Sequence, residues 1–300
     1  MAPVRDALLF GTAGVPHTAA DTSTLSALDR IKALGLDCLE IEFVKGVKMG
    51  GDTAARIKEK AEALGLALSA HAPYYINLNS EDAGKRLSSQ ERILTTVRTA
   101  ALCGARSVVF HAGFYGRETP DRAFAEIRRE LEAVLSIVRT ERLPVTLRIE
   151  TMGKKSQFGS LEEVLFLCRE LEGLEPCLDF CHIYAREGKV NSYPEFHRVL
   201  RKVEKKLGRA ALRNVHIHIA GVEFNASGEI RHLDLVDSGF RYDEWIQALR
   251  DFGTAGMVIC ESPNLETDAL MLKKLHAAQE IKGSVGPDRK PGTAAFGRGR

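Results

Sequence analysis

Short apolar runs alternate with amphipathic stretches along nearly the whole chain. Residues 8–14 form an apolar run closed by glycines, read as a buried strand and its loop, and residues 21–34 then carry apolar positions at helical spacing. The unit repeats. Strands are predicted at 38–44, 66–71, 107–111, 145–150, 176–183, 214–220 and 257–261. Helices are predicted at 53–64, around 89–103, at 121–140, after the capping box Ser160-Leu-Glu-Glu163, and at 193–207, 242–252 and 264–281. A longer insertion follows the seventh strand, and its Asn225-Ala-Ser-Gly228 turn predicts a small hairpin. Eight apolar strands alternating with eight helices predict an α/β fold, a parallel eight-stranded (β/α)8 TIM barrel, as one catalytic domain over residues 1–282. Residues 283–300 are basic, rich in glycine and without apolar period, and are expected to be a disordered tail.

The predicted strand ends share a feature. They read Ala-His71-Ala-Pro, Phe-His111-Ala-Gly, Ile-Glu150-Thr-Met, Leu-Asp179-Phe-Cys-His182, Val-His216-Ile-His218 and Cys-Glu261-Ser-Pro. In a parallel barrel these ends form the catalytic face, so the side chains converge on one pocket. Burying so many ionisable groups without a metal or a partner costs several kcal/mol each. Imidazole with carboxylate favours zinc, with iron or manganese also suited. Eight or nine ligands exceed one tetrahedral ion, and neighbouring ions sharing a carboxylate are suited to cleaving phosphate esters.

Composition adds limits. Lys+Arg 42 against Asp+Glu 40 leaves +2, so no overall field draws in nucleic acid and any such binding needs a local basic patch. Six cysteines without a CxxC pair, and no secretory leader, predict free thiols in a reducing, cytoplasmic setting. No apolar run approaches the ~18 residues of a membrane span.

The motifs around these ligands resemble those of endonuclease IV, the abasic-site endonucleases of the xylose isomerase-like barrel superfamily, over most of residues 8–281. The resemblance implies that Glu150 bridges two zincs, that His71 and His111 complete the first site, that Asp179, His216 and Glu261 complete the second, and that His182 belongs to a third. His216 is taken as the ligand by register and His218 as its support. At the third site the family's Asp-Arg-His reads Glu229-Ile230-Arg231-His232 here, so His232 aligns while Ile230 stands in the aspartate's place and Glu229 is displaced by one. Two to three ions per chain are implied, with Glu150 and Glu261 in catalysis. Tyr74 and Tyr75 occupy the positions that enter the DNA minor groove at the lesion, and Lys45 and Lys48 those of basic contacts.

The expected activity is hydrolysis of the phosphodiester 5′ to an abasic site in double-stranded DNA by a monomer, leaving a 3′-hydroxyl, with trimming of blocked 3′ ends. Two alternatives stay open. A single-metal sugar isomerase or epimerase would need only Glu150, Asp179, His182, His216 and Glu261. A lesion-binding protein weakened by Ile230 would need no turnover. His17, His197 and His276 are set aside as surface or packing residues, Cys181 as a buried thiol, and Glu40 and Glu42 as structural or as support for the ligands.

Overall fold

Eight parallel strands close on one another in the computed structural model, which describes residues 7–284. They are β1 (Leu8–Ala13), β2 (Cys38–Glu42), β3 (Ala67–His71), β4 (Ser107–Phe110), β5 (Thr146–Glu150), β6 (Leu174–Asp179), β7 (Val215–Ile219) and, after the hairpin of β8 (Gly221–Asn225) and β9 (Gly228–Leu233), β10 (Gly256–Cys260). The barrel order β1-β10-β7-β6-β5-β4-β3-β2 is that of the expected TIM barrel. Around it run α1 (Thr24–Leu34), α2 (Gly51–Leu64), α3 (Ala83–Leu102), α4 (Pro120–Thr140), α5 (Leu161–Glu170), α6 (Phe180–Glu187), α7 (Tyr193–Leu207), α8 (Arg209–Leu212), α9 (Tyr242–Asp251) and α10 (Glu266–Ser284). The tail predicted from residue 283 lies outside the described residues, except that α10 runs through 283 and 284.

Local signals fix several boundaries. Ser160 and Glu163 form the predicted capping box at the start of α5. The sixth strand departs from expectation: it stops at Asp179, whose side chain accepts the His182 N–H at 2.7 Å and starts α6. His182 therefore sits on the first turn of a helix, not on a strand.

Two parts of the core position the site. Leucine, isoleucine, valine and phenylalanine side chains fill the layer between strands and helices. Inside the barrel, Leu9, Cys38, Ala67, Met257 and Ile259 form a small apolar floor. Above that floor the interior turns polar, with Glu40, Ser69, Arg148, His216 and His218 all buried. Strand β1 approaches β2 closely at Gly11, where a Cβ would lie 1.9 Å from the Cys38 carbonyl oxygen, so only glycine fits. No helix among the described residues is long and apolar enough to cross a membrane, and the six cysteines are free.

The loop after β1 is tied to the start of α10. Glu266 accepts the backbone N–H groups of His17 (3.0 Å) and Thr18 (2.9 Å) and the Thr18 hydroxyl (2.8 Å). Burial opposes its charge, yet these donors hold its carboxyl below the usual 4.5. A carboxylate with a depressed folded pKa stabilises above its unfolded value and loses that contribution as pH falls through the folded one. Glu266→Gln should cost about 1–3 kcal/mol near neutrality. In urea unfolding the gap to wild type should close on acidification below pH 4.5; a gap that persists unchanged in acid would refute this account.

Candidate metal centre

Glu150, at the end of β5 and 1 % exposed, is the hub of the barrel mouth. One of its oxygens, Oε2, lies 3.2 Å from His71 Nε2, 3.0 Å from His111 Nε2 and 3.8 Å from His218 Nδ1. The other, Oε1, lies 3.0 Å from His182 Nδ1. Glu261, which follows β10, reaches His218 Nδ1 at 3.2 Å. Asp179 Oδ2 stands 3.3 Å from His182 Nδ1. Residues from β3 to β10 thus meet at one place.

Mutual charge holds the cluster together. Burial opposes the ionisation of Glu150, but His111, His182 and His218 keep it well below the carboxylate range. Burial likewise works against protonated His71, and the Glu150 hydrogen bond with the fields of Glu42, Glu150 and Glu40 raises it to about 10. Asp179 is raised by burial. Glu42, also raised by burial, reaches about 8.

The donor chemistry suits divalent cations. Ligand atoms of His71, His111 and Glu150 lie within 4.8 Å of one another, as do those of Glu150, Asp179 and His218, and of Asp179, Cys181, His182 and His232. Asp179 Oδ2, His218 Nδ1 and His232 Nε2 are buried without a hydrogen bond among the described residues. Such atoms are costly unless something charged or polar engages them. These residues fit neighbouring cations gathered around Glu150.

Two expectations change here. His216 is the expected ligand, yet it pairs in register with Met257, one inward-facing position below His218 and its partner Ile259. Its Nε2 turns to Glu40 at 2.9 Å and its Nδ1 to Ser107 Oγ at 3.3 Å. His218, two residues on, lies in register with Asp179 and faces Glu150 and Glu261. Both histidines point inward, but only His218 is at the right height.

The second change concerns Ile230. In the hairpin Phe224 pairs with Glu229 and Glu223 with Arg231, so Ile230 is the extra residue of a β-bulge. In a regular strand residues 229 and 232 would face opposite sides. The bulge absorbs one residue, and Glu229 Oε2 comes to 3.2 Å from His182 Nε2 while Glu229 Oε1 lies 3.7 Å from His232 Nε2. Ile230 itself points outward, 48 % exposed. The hairpin tip is seated by Gly228 (φ +104°), where a Cβ would lie 2.2 Å from the Gly153 carbonyl oxygen. His182 and His232 overcome the burial of Glu229 and lower it to about 2.

Residues 28–282 match the model of the xylose isomerase-like TIM barrel family. The chain belongs to that family. Among its relatives, the uncharacterized protein MJ0133 of Methanocaldococcus jannaschii is 44% identical over 270 residues, 90% of this chain and 97% of that protein. The "Probable endonuclease 4" of Aquifex aeolicus is 26% identical over 219 residues, 69% of this chain and 75% of that one. Two solved family-like barrels superpose about equally. Endonuclease IV from Thermus thermophilus gives a TM-score of 0.69 at 21% identity, covering 90% of this chain and 99% of the other. A D-tagatose 3-epimerase-like protein gives 0.70 at 17% identity, covering 93% and 100%. At these identities the two structures speak for the fold alone.

At the rim of this barrel, Tyr74 and Tyr75 are 51 % and 73 % exposed. Tyr74 stacks on His111 with ring centroids 5.5 Å apart, whereas Tyr75 projects further into solvent. Lys45 and Lys48 are exposed in the loop after β2. His17 bonds Pro263 O, His197 packs on Phe252 and His276 on Phe10, all apart from the Glu150 cluster. Sequence reasoning undervalued Glu40, whose contacts cross the barrel interior, and Glu42, half-buried near His71.

The bulge geometry sets a test. Ile230→Asp should leave the number of divalent cations bound per chain unchanged, because the new carboxylate would sit outside the pocket. Glu229→Gln should lose or weaken one ion, read by metal analysis after dialysis. An extra ion gained by Ile230→Asp would mean that the bulge is misplaced.

Proposed function

We propose that this protein is a zinc-dependent endonuclease that hydrolyses DNA on the 5′ side of abasic sites, leaving a 3′-hydroxyl. The observation that carries the reading is the extent of the donor set. His71 and His111 on one side of Glu150, and His182, Glu229 and His232 on the other, exceed what a single ion can use. The sequence relation to the "Probable endonuclease 4" of Aquifex aeolicus supports it.

In this reading His71, His111 and Glu150 hold one ion, Glu150, Asp179, His218 and Glu261 a second, and His182, Glu229 and His232 a third. Zinc ions bound there supply Lewis acidity toward a phosphodiester and acidify water. Glu150 is enclosed by four histidines, so it would serve as a ligand to bound metal rather than as a proton carrier. Glu261, with its side chain 16% exposed, is the carboxylate placed to accept a proton at the opening. Tyr75 enters the gap left by the missing base while Tyr74 lines the pocket wall, and Lys45 and Lys48 contact phosphates.

A sugar epimerase is the second reading, favoured by one observation: Glu150, Asp179 and His218 bring ligand atoms together, with Glu261 against His218, which is donor enough for a single metal. The lesion-binding alternative rested on Ile230 and loses that support, since Glu229 faces the pocket in the aspartate's stead.

The experiment is incision of a labelled duplex containing one reduced abasic analogue, which cannot undergo β-elimination, by protein purified without chelator. A single 5′ cut is expected, abolished by chelation and restored by Zn2+. His218→Gln should lower the rate far more than His216→Gln lowers it at equal metal loading. Absence of cutting together with turnover of a ketose would establish the epimerase instead.

A further inference from the structure

Each pocket histidine that presents a nitrogen to the carboxylates must have its ring held by the other nitrogen. For three of them the anchor is a backbone carbonyl. His71 Nδ1 meets Ala72 O at 2.7 Å and His232 Nδ1 meets Glu261 O at 3.3 Å, while His182, whose Nε2 faces Glu229, has its Nδ1 at 3.0 Å from Thr151 O as well as near Glu150 and Asp179. His218 differs, since its Nε2 makes an ion-pair contact of 2.8 Å with Glu40 Oε1, a side chain on the far wall of the barrel, and neither atom has a hydrogen-bond partner among the described residues.

We propose that Glu40 is a positioning residue that fixes the ring and tautomer of His218 as a metal ligand from inside the barrel. The inference rests on the metal-dependent reading above.

The surroundings of Glu40 are built for this. It is 0 % exposed on β2, and its other oxygen accepts the Ser69 hydroxyl at 2.7 Å and His216 Nε2 at 2.9 Å. Ser107 Oγ in turn stands 3.3 Å from His216 Nδ1 and can donate to it. An ionised carboxylate only accepts, so the nitrogens of His216 and His218 that face Glu40 carry the protons. The lone pair of neutral His218 then lies on Nδ1, the atom directed at Glu150 and Glu261. His216 becomes intelligible as well: both its nitrogens are engaged, and it holds Glu40 in place. The carboxylate also places negative charge behind His218, raising its basicity as a ligand, which a neutral amide of the same shape would not do.

The test titrates Zn2+ alone, against a chromophoric chelator, into the stripped full-length chain. Glu40→Gln should weaken one zinc equivalent by about 10- to 100-fold and leave the others at wild-type affinity. Ser69→Ala, which removes one donor to Glu40 and touches no histidine, should weaken the same equivalent by less; it carries the test if the Gln variant does not fold. Wild-type affinity at every equivalent in Glu40→Gln would overturn the inference. So would a uniform loss across all equivalents that follows a fall in the melting temperature of the stripped protein, the mark of a purely structural role. A wild-type chain that binds no Zn2+ would remove the metal reading itself, and the inference with it.

Discussion

The pocket is governed by the need to neutralise buried carboxylates. Glu40, Glu150 and Asp179 are at most 1 % exposed, and isolated burial of such charges would be prohibitive. Each is therefore faced by imidazoles, and each imidazole needs an anchor of its own. That requirement spreads outward. It places Ser69 and Ser107 inside the barrel, stops β6 so that Asp179 can both cap α6 and face the pocket, and brings the hairpin of β8 and β9 back over the mouth. A wholly apolar barrel interior would be simpler to pack, but it could not hold these groups ionised.

Much of this was legible in the sequence because the relevant signals are local. Strand and helix alternation follows from hydrophobic period, and His71, His111, Glu150, Asp179 and Glu261 fall where apolar runs meet loops. What escaped depends on contacts between distant segments. His216 and His218 share a face of β7 by the period-2 rule, so the alternation cannot say which stands level with Asp179; the pairing of β7 with β6 and β10 decides that. The bulge at Ile230 is a property of two paired strands, and no single-strand pattern announces it. Glu40 gains its meaning from His216 and His218, which lie far along the chain.

The hairpin shows how one insertion can alter a site without altering the barrel. It belongs to no barrel strand, and it is secured by Gly228 against Gly153 and by the Lys155 N–H bonded to Ser227 O at 3.0 Å. Through it Glu229 and His232 join a pocket already lined by Glu150, Asp179, His218 and Glu261. A shift of one residue in this strand would ordinarily send a ligand to solvent. Here the bulge takes up the shift and exposes the apolar residue instead.

Fold and chemistry are separable in this barrel. An endonuclease IV and a D-tagatose 3-epimerase-like protein superpose on this chain to nearly the same degree, so backbone shape cannot choose between them. The choice lies with side chains beyond Glu150, Asp179, His218 and Glu261. A lone ion acting on a sugar has no use for His71 and His111 converging on the same oxygen of Glu150, nor for His182 turned toward Glu229. These groups also carry the cost of burial, and a site that gained nothing from them would be better packed with apolar residues. Their presence on both sides of Glu150 supplies more donor atoms than one tetrahedral cation uses.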